Sequence, residues 1–325
     1  MRLRFQIVSP LNENEEIAAV SRVVNGVKDG WHDWLEPDPG DSRLDPYYAQ
    51  NPTHRELLSK SFTAAVAYGA AQVRTLTVVV HGDAPAAEDA WPLEEAVLYL
   101  SQPLEVLVEN ARNDGLFFTA CWAVLASRLA ARLTAKRPAA VFSQGGGKAE
   151  VLQLIQHRTK EALDRRTVPP RLLVLLDSDA RYPGHETSES RQLRDTCGEL
   201  GIPIALLQKR AIENYVGDDA LRDLGTTHAD VLPSVDFLLG ITSEQRDHYP
   251  IKKGLDGPHG RPVITSDGEK ALYAGIAWPA GFRPKLGRLM EYVLQHDALI
   301  TRAELAGRCA VEELEALAAR IDEEI

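Results

Sequence analysis

The stretch RLLVLLDSD, residues 171–179, joins an uninterrupted apolar run to two aspartates. A second short run, LEVLVE at residues 104–109, also ends in an acidic residue. Two more apolar runs lie at residues 139–142 and 202–207, and helical stretches separate the four runs. Strands that alternate with helices in this way predict a parallel α/β sheet with right-handed crossovers, a Rossmann-like arrangement.

Acidic and glycine residues follow the predicted strands. Glu109 follows the first strand, the run Gly145–Gly147 follows the second, and Asp177 and Asp179 follow the third. Sites in parallel α/β sheets form beyond the carboxyl ends of the strands, so we expect three carboxylates and a glycine turn at one edge. The connecting helices are predicted over residues 115–133, from the glycine run to about 163, and over 188–200.

The composition is that of a soluble globular protein. The 325 residues are 44% hydrophobic and 26% charged, and no apolar run approaches the ~18 residues that a membrane span needs. The N-terminal segment has too few apolar residues for a signal peptide. Cys121, Cys197 and Cys309 are far apart, which argues against a zinc site or a disulfide framework. These features predict a cytoplasmic protein with no membrane partner.

Three regions differ in sequence pattern. Residues 1–100 predict an N-terminal α/β region that can bind a partner, with no regular structure expected in the proline-rich segment 29–48. Trp31 and Trp34 in that segment either contact a partner or pin the segment to the core. Residues 101–255 contain the predicted catalytic sheet. Residues 256–325 predict a helical region.

The C-terminal region has the pattern of three short helices. The second predicted helix begins with Thr301, and a turn at Gly307–Ala310 precedes the third, which resembles a helix-turn-helix or winged-helix unit. Residues 299–325 contain three arginines against seven acidic residues. Because a DNA-reading helix is normally basic, this composition favours protein contact or helical packing.

Charge is unevenly distributed along the chain, whose net charge is −11. Residues 1–100 contain 8 basic and 15 acidic residues, whereas residues 128–171 contain 10 basic and 3 acidic residues. The basic stretch is either a pair of solvated helix faces or a phosphate-facing flank beside the acidic strand ends.

The motifs VEN…NDG, QGGGK, LLDSD and KRAIENYV occur in that order between residues 108 and 216. Their order resembles the Toprim domain, particularly its version in the OLD-family (overcoming lysogenization defect-like) nucleases of phage-defence systems. The resemblance covers about residues 104–255 and implies a Toprim-like sheet that binds Mg²⁺, or alternatively Mn²⁺, and hydrolyses DNA. It implies these metal-binding residues: Glu109, Asp114, Asp177, Asp179 and Glu213.

The same resemblance implies further site residues and a partner. Arg210 and Tyr215 complete the last motif, and Lys252 or Lys253 is the lysine expected downstream. QGGGKA lacks the spacing of an ATP-binding P-loop, because position 142 is Phe and position 149 is Ala. We therefore expect a partner protein that supplies an ATPase or a sensor, and leave a homo-oligomer open.

The chemistry of these residue types assigns roles to them. Mg²⁺ prefers hard oxygen ligands, which makes Asp177 and Asp179 metal ligands and Glu109 a ligand or a general base. Glu213 and Asp114 are candidates for a second ion. A lysine, Lys252 or Lys253, would stabilise charge on the scissile phosphate. The substrate-binding candidates are Gly145, Gly146, Gly147, Lys148 and Arg210, although the glycines fit a tight turn equally well.

Each of these residues also has a structural interpretation. Asp177 and Asp179 can cap their own turn, Glu109 can cap the helix that follows it, and Glu213 can pair with Arg210. Two other functions remain open. A glycosyltransferase can use the D-x-D of residues 177–179 alone, and a non-catalytic scaffold can keep the Toprim-like fold.

Overall fold

The computed structural model describes residues 2–7, 10–11, 13–67, 75–80, 90–164, 168, 170–255, 264–276, 278 and 284–325. Within these residues the chain forms two four-stranded sheets, and every strand pairing in both sheets is parallel. The predicted α/β class is therefore confirmed. No helix in the described ranges has the length and apolar character needed to cross a bilayer.

The first sheet belongs to the N-terminal region and has the strand order β2-β1-β3-β4. Its strands are β1 (Arg2–Gln6), β2 (Asp33–Glu36), β3 (Thr75–Val79) and β4 (Ala90–Pro92). Its helices are α1 (Asn14–Lys28), α2 (Asp45–Gln50), α3 (His54–Ala67) and α4 (Leu93–Leu100). These elements enclose their own apolar core.

The proline-rich segment 29–48 is more regular than its sequence predicts. It contains β2, the start of α2 and a short 3-10 helix at Ser42–Leu44. Trp34 is fully buried, stacks on Phe5 with ring centroids 4.7 Å apart, and donates its indole N–H to the carbonyl of Pro37. Core contacts of this kind override the local preference of the prolines. Of the two alternatives for Trp34, the structure supports pinning to the core.

The second sheet has the strand order β6-β5-β7-β8. Its strands are β5 (Leu104–Val108), β6 (Ala140–Gln144), β7 (Leu172–Leu176) and β8 (Ile204–Leu206), within two residues of the predicted bounds. Its connecting helices are α5 (Ala111–Leu125), α6 (Ser127–Leu133), α7 (Lys148–Asp164) and α8 (Ser188–Glu199). Because all four strands are parallel, their carboxyl ends meet at one edge.

The prediction of a single helix over residues 115–133 is wrong, because α5 both begins and ends earlier and a second helix, α6, follows it. The helix begins earlier because the side chain of Asn110 accepts the backbone N–H groups of Arg112 and Asn113. It stops at Ala126, whose backbone is not helical, and α6 then buries Leu129 and Ala130 in the same core.

Further helices cover one face of the second sheet. They are α9 (Asp218–Thr227), α10 (Leu232–Gly240), α11 (Ser243–His248), α12 (Asp267–Leu272), α13 (Leu289–Gln295), α14 (Arg302–Gly307) and α15 (Val311–Glu324). As predicted, Thr301 initiates α14: it is the N-cap residue, and its hydroxyl accepts the N–H of Glu304. Helices α13 to α15 contact α5, and the indole of Trp122 donates to the carbonyl of Leu314. The C-terminal helices therefore share a core with the second sheet.

Candidate metal centre

Acidic side chains collect at the carboxyl edge of the second sheet. Glu109 directly follows β5, Asp177 directly follows β7, and Asp114 lies in the first turn of α5. Glu213 lies in a 3-10 helix, Ile212–Tyr215, shortly after β8, and is only 8% exposed. Asp179 follows Asp177 on an exposed turn. The structure thus brings the predicted acidic residues to one edge.

Burial and mutual repulsion both act on these carboxyls. Burial raises the pKa of Asp177 well above its ordinary value, and the negative charges of the other four acidic residues raise it further. Burial also raises the pKa of Glu109 to about 7, with added contributions from Asp179 and Asp114. Burial and the neighbouring carboxyls therefore both disfavour the charged forms of Asp177 and Glu109.

Asp114 and Glu213 belong to the same cluster. Burial raises the pKa of Asp114 to about 6, and repulsion from Glu213 adds to the rise. Burial likewise raises the pKa of Glu213, while the positive charge of Lys252 lowers it. Lys252 also lowers the pKa of Glu109 and Asp114, so it is the one of the two predicted lysines that acts on three of these carboxyls.

Neighbouring backbone holds the DSD turn in place. The hydroxyl of Ser178 donates to the carbonyl of Lys209 at 2.7 Å, and the N–H of Asp179 donates to the carbonyl of Arg210 at 3.0 Å. The carboxylate of Asp177 accepts the N–H of Ile212 at 3.2 Å. These bonds join the loop after β7 to the loop after β8, so Asp177 and Glu213 are held by one structural unit.

The acidic residues make structural contacts, but these differ from the ones expected from the sequence. Asp114 accepts the N–H of Asn110 at 2.8 Å. Helix α5 is capped by Asn110 rather than by Glu109. Within the DSD turn, the hydroxyl of Ser178 accepts the N–H of Ala180, while Asp179 pairs with Lys148. Arg210 donates to the carbonyl of His248 at 3.3 Å, so its guanidinium has a partner other than Glu213.

The glycine run forms a tight turn between β6 and α7. A Cβ on Gly145 would lie 2.4 Å from Cγ2 of Val151 and 3.2 Å from the carbonyl oxygen of Val108. Gly146 has a φ of 77°, a conformation that favours glycine. The turn places the 8% exposed Lys148 at the start of α7 with its amine against Asp179. Close packing therefore accounts for at least two of the glycines.

Several supporting residues were not singled out from the sequence. Gln144 donates to the carbonyl of Glu109 at 2.7 Å and accepts the N–H of Ala111 at 3.0 Å, which fixes the chain on both sides of Asn110. The buried Asn214 donates to the carbonyls of Arg246 and Tyr249. Gln144 and Asn214 lie inside motifs quoted above, but their hydrogen bonds connect positions that only the fold brings together.

A buried charge network supports the 3-10 helix that contains Glu213. Asp247 accepts from Lys209 at 2.7 Å and contacts the guanidinium of Arg308. Arg308 also donates to the carbonyl of Asn214, and burial lowers its pKa to about 10. Tyr215 donates to Glu313 at 2.6 Å, which links the 3-10 helix to α15. The C-terminal helices thereby help to position Glu213.

The basic stretch 128–171 is largely neutralised away from the site. Arg132 pairs with Asp322, Arg137 pairs with Asp29, and Arg158 pairs with Glu105 near the amino end of β5. Arg165 and Arg166 lie outside the described residues. Of the two interpretations of the basic stretch, these ion pairs favour solvated helix faces over a phosphate-facing flank. Within the described part of the stretch, Lys148 contacts Asp179 of the acidic cluster.

The donor chemistry of the cluster fits a hard divalent cation. Its ligands would be carboxylate oxygens, which Mg²⁺ and Mn²⁺ accept. The pKa values of Glu109, Asp114, Asp177 and Glu213 are raised chiefly by burial, and a bound cation would favour their charged forms. Among the described residues, no group of three or more His, Cys, Asp or Glu side chains is close enough to hold a metal as it stands. Binding therefore requires side-chain rotation, and Lys148 must release Asp179 if that carboxylate is to become a ligand.

Comparison with models of known protein families, with curated proteins and with solved structures finds no match for this chain. Function therefore has to be inferred from the chemistry of the site itself.

Proposed function

We propose that the protein is a Toprim-like nuclease that hydrolyses DNA phosphodiester bonds with Mg²⁺ or Mn²⁺. The observation that carries this proposal is the single cluster of Glu109, Asp114, Asp177, Asp179 and Glu213 at the carboxyl edge of a parallel sheet. Phosphodiester hydrolysis needs a cation site beside a phosphate site, and carboxylates with a facing lysine supply both.

The side chains divide the chemistry among them. Asp177 and Asp179 would hold the cation, whose contribution is to polarise the phosphate and the attacking water. Glu109, with a pKa of about 7, is suited to accept a proton near neutral pH when it is not itself a ligand. Glu213 and Asp114 would hold a second cation. Lys252 would offset the negative charge that develops on the phosphate.

The extent of the cluster favours hydrolysis over the glycosyltransferase alternative. A D-x-D site needs only Asp177 and Asp179, whereas here the negative charges of Glu109 and Glu213 also act on Asp177 and raise its pKa. A non-catalytic scaffold has no need to bury Glu213 beside other carboxyls, because crowded buried charge destabilises a fold.

The wider biological assignment also belongs to this proposal. We place the protein in a bacterial anti-phage defence system, where a partner protein supplies an ATPase or a sensor; the C-terminal helices, whose order resembles a winged helix, pack on the second sheet. The support is the motif order and the excess of acidic residues at 299–325.

A cleavage assay with isosteric variants tests the proposed function. Plasmid and linear DNA are incubated with the purified protein in MgCl₂, MnCl₂ or EDTA. Wild-type protein should cut in either metal, and Asp177→Asn and Glu109→Gln should each lower the rate at least about a hundredfold, the usual scale for a catalytic group.

Matched surface variants provide the control. Asp236→Asn and Glu199→Gln change exposed residues outside the cluster and should cut like wild type. Metal-dependent cutting that persists in both site variants would eliminate the assigned site. Because a required partner can leave the isolated chain silent, the same variants are also tested for protection against phage in cells.

A further inference from the structure

Resting on the proposed nuclease function, we infer that the turn Arg181–His185 binds single-stranded DNA. In this assignment the ring of Tyr182 stacks on an unpaired base, and Arg181 and Arg210 contact the adjoining phosphates. The turn directly follows the DSD loop, so a nucleotide bound there lies next to the acidic cluster.

The turn is ordered before any substrate binds. The N–H of His185 donates to the carbonyl of Tyr182 at 3.0 Å, and the N–H of Arg181 donates to Nδ1 of His185 at 3.3 Å. Gly184 has a φ of 77° and open space beside it, which allows the tight reversal. A pre-ordered turn loses little conformational entropy when it binds a ligand.

An aromatic pair lies on this turn. The rings of Tyr182 and His185 have centroids 4.9 Å apart and are tilted by 51°. A Cβ on Gly268 would lie 2.5 Å from Cδ2 of Tyr182, so the ring rests directly on the backbone of α12. Tyr182 nevertheless remains partly exposed. Its ring is thus supported on one side while part of it stays accessible to a ligand.

Two arginines and one carboxylate lie near the aromatic pair. Burial lowers the pKa of His185, the positive charges of Arg181 and Arg210 lower it further, and the negative charge of Glu269 raises it. The backbone of Arg181 bonds to His185, and the carbonyl of Arg210 accepts the N–H of Asp179 beside the turn. Arg181 is exposed. Glu269, the nearby carboxylate, already accepts hydrogen bonds from the backbone and hydroxyl groups of Thr265 and Ser266. The two arginines can therefore attract an anionic backbone.

The combination selects unpaired nucleotides. Base stacking on an aromatic side chain needs a free base face, and in a duplex both faces are covered by neighbouring base pairs. The tilted imidazole of His185 borders the tyrosine ring, and the arginines bind phosphate without regard to sequence. Single-stranded DNA, including frayed ends and flaps, is accordingly the substrate class that this turn fits.

Binding assays separate this role from catalysis. Fluorescence anisotropy is measured in CaCl₂ with a labelled 20-nucleotide single strand and with a duplex of the same sequence. Wild-type protein should bind the single strand more tightly. Tyr182→Ala should weaken single-strand binding about tenfold and duplex binding less than twofold, while Tyr182→Phe keeps both.

A second variant acts on the same ring without removing it. Gly268→Ala should displace Tyr182 and weaken single-strand binding, whereas Gly198→Ala, with open space around it, should not. Arg181→Gln should weaken both DNA forms and lower the salt dependence, and the exposed Arg320→Gln should change neither. Thermal midpoints within a few degrees of wild type show that the variants are folded.

The outcomes distinguish the two proposals. Equal affinity of wild type for single strand and duplex, no DNA binding, or unchanged single-strand binding by Tyr182→Ala overturns the role of the turn. If that happens while Asp177→Asn abolishes cleavage, the nuclease assignment stands and only the substrate class is wrong. Conversely, wild type can bind the single strand selectively while Asp177→Asn leaves cleavage unaffected. In that case the role of the turn stands and the assigned catalytic site is wrong.

Discussion

The amine of Lys148 contacts the carboxylate of Asp179 at the edge of the second sheet. The side chain of Lys148 is only 6% exposed and that of Asp179 is 51% exposed, so the cation is the buried partner. The glycine turn before α7 positions Lys148 at this edge. Asp179 itself has a φ of 55°, in the left-handed region. Lys148 thus partly neutralises the acidic cluster in the absence of metal.

Replacing Lys148 should therefore strengthen cation binding. Lys148→Met removes a positive charge next to the predicted ligands and frees Asp179. We expect the dissociation constant for Mg²⁺ or Mn²⁺, measured by calorimetry, to fall about tenfold, because nearby like charges oppose binding by on the order of 1 kcal/mol or more. Lys160→Met, an exposed change on the same helix, should leave the constant unchanged. Weaker binding by Lys148→Met would mean that Lys148 supports the site rather than competing with the cation.

The raised pKa of Glu109 predicts a specific pH dependence of stability. The pKa of the Glu109 carboxyl is 4.5 in its ordinary state and about 7 in the folded protein, so this carboxyl loses its proton at a lower pH in the unfolded chain than in the folded one. This residue's contribution to stability is therefore present below about pH 4.5 and is lost as the pH rises to about 7. In EDTA, Glu109→Gln should be as stable as wild type at pH 4 and more stable at pH 8, by at most about 3 kcal/mol.

Unfolding by urea at several pH values measures this difference. Glu199→Gln, on the exposed surface of α8, is the matched control and should show no relative gain at pH 8. A Glu109→Gln advantage that is the same at both pH values would show that the pKa of Glu109 is not raised in the folded protein.

Two glycine variants should change stability in opposite directions. Gly145→Ala forces a Cβ to within 2.4 Å of Val151 and should cost about 1–3 kcal/mol through overpacking. Gly198→Ala lies in α8 with no atoms within 4 Å of the added Cβ and should stabilise by about 0.5–1 kcal/mol. Chemical denaturation measures both changes in the free energy of unfolding. If the glycine run serves phosphate binding alone, Gly145→Ala should leave the stability unchanged.

Asp247 should be important for stability although it is not in the acidic cluster. Asp247→Asn removes the carboxylate shared by Lys209 and Arg308, two cations that are 6% and 3% exposed. Leaving buried charge uncompensated should cost about 3–5 kcal/mol in the free energy of unfolding. The exposed Asp236→Asn should cost less than about 0.5 kcal/mol. Equal stability of the two variants would contradict the network.

Much of the second sheet was predictable because both of its faces are covered. Leu107 and Val174 lie in the core with α7 and α8, while Val106 and Leu173 lie in the core on the other face. Strands buried on both faces are apolar at successive positions, which makes their ends visible in the sequence. The positions of Glu109 and Asp177 follow directly from those ends.

Other features depend on contacts between residues distant in the chain. Trp34 gives order to a proline-rich segment through its contact with Phe5. Arg308 reaches the carbonyl of Asn214, 94 positions earlier, and its local sequence gives no sign of that role. The pairing of Lys148 with Asp179 likewise joins two predicted site residues that the sequence assigned to different tasks.

Direct measurement of Mn²⁺ binding tests the acidic cluster without requiring an active partner. Free Mn²⁺ is quantified by electron paramagnetic resonance during titration of wild type, Asp177→Asn and Asp236→Asn at pH 8. Wild type and Asp236→Asn should bind Mn²⁺ with the same affinity, and Asp177→Asn should bind at least about tenfold more weakly because it loses a charged ligand. Equal binding by all three proteins would contradict a metal centre at this edge of the sheet.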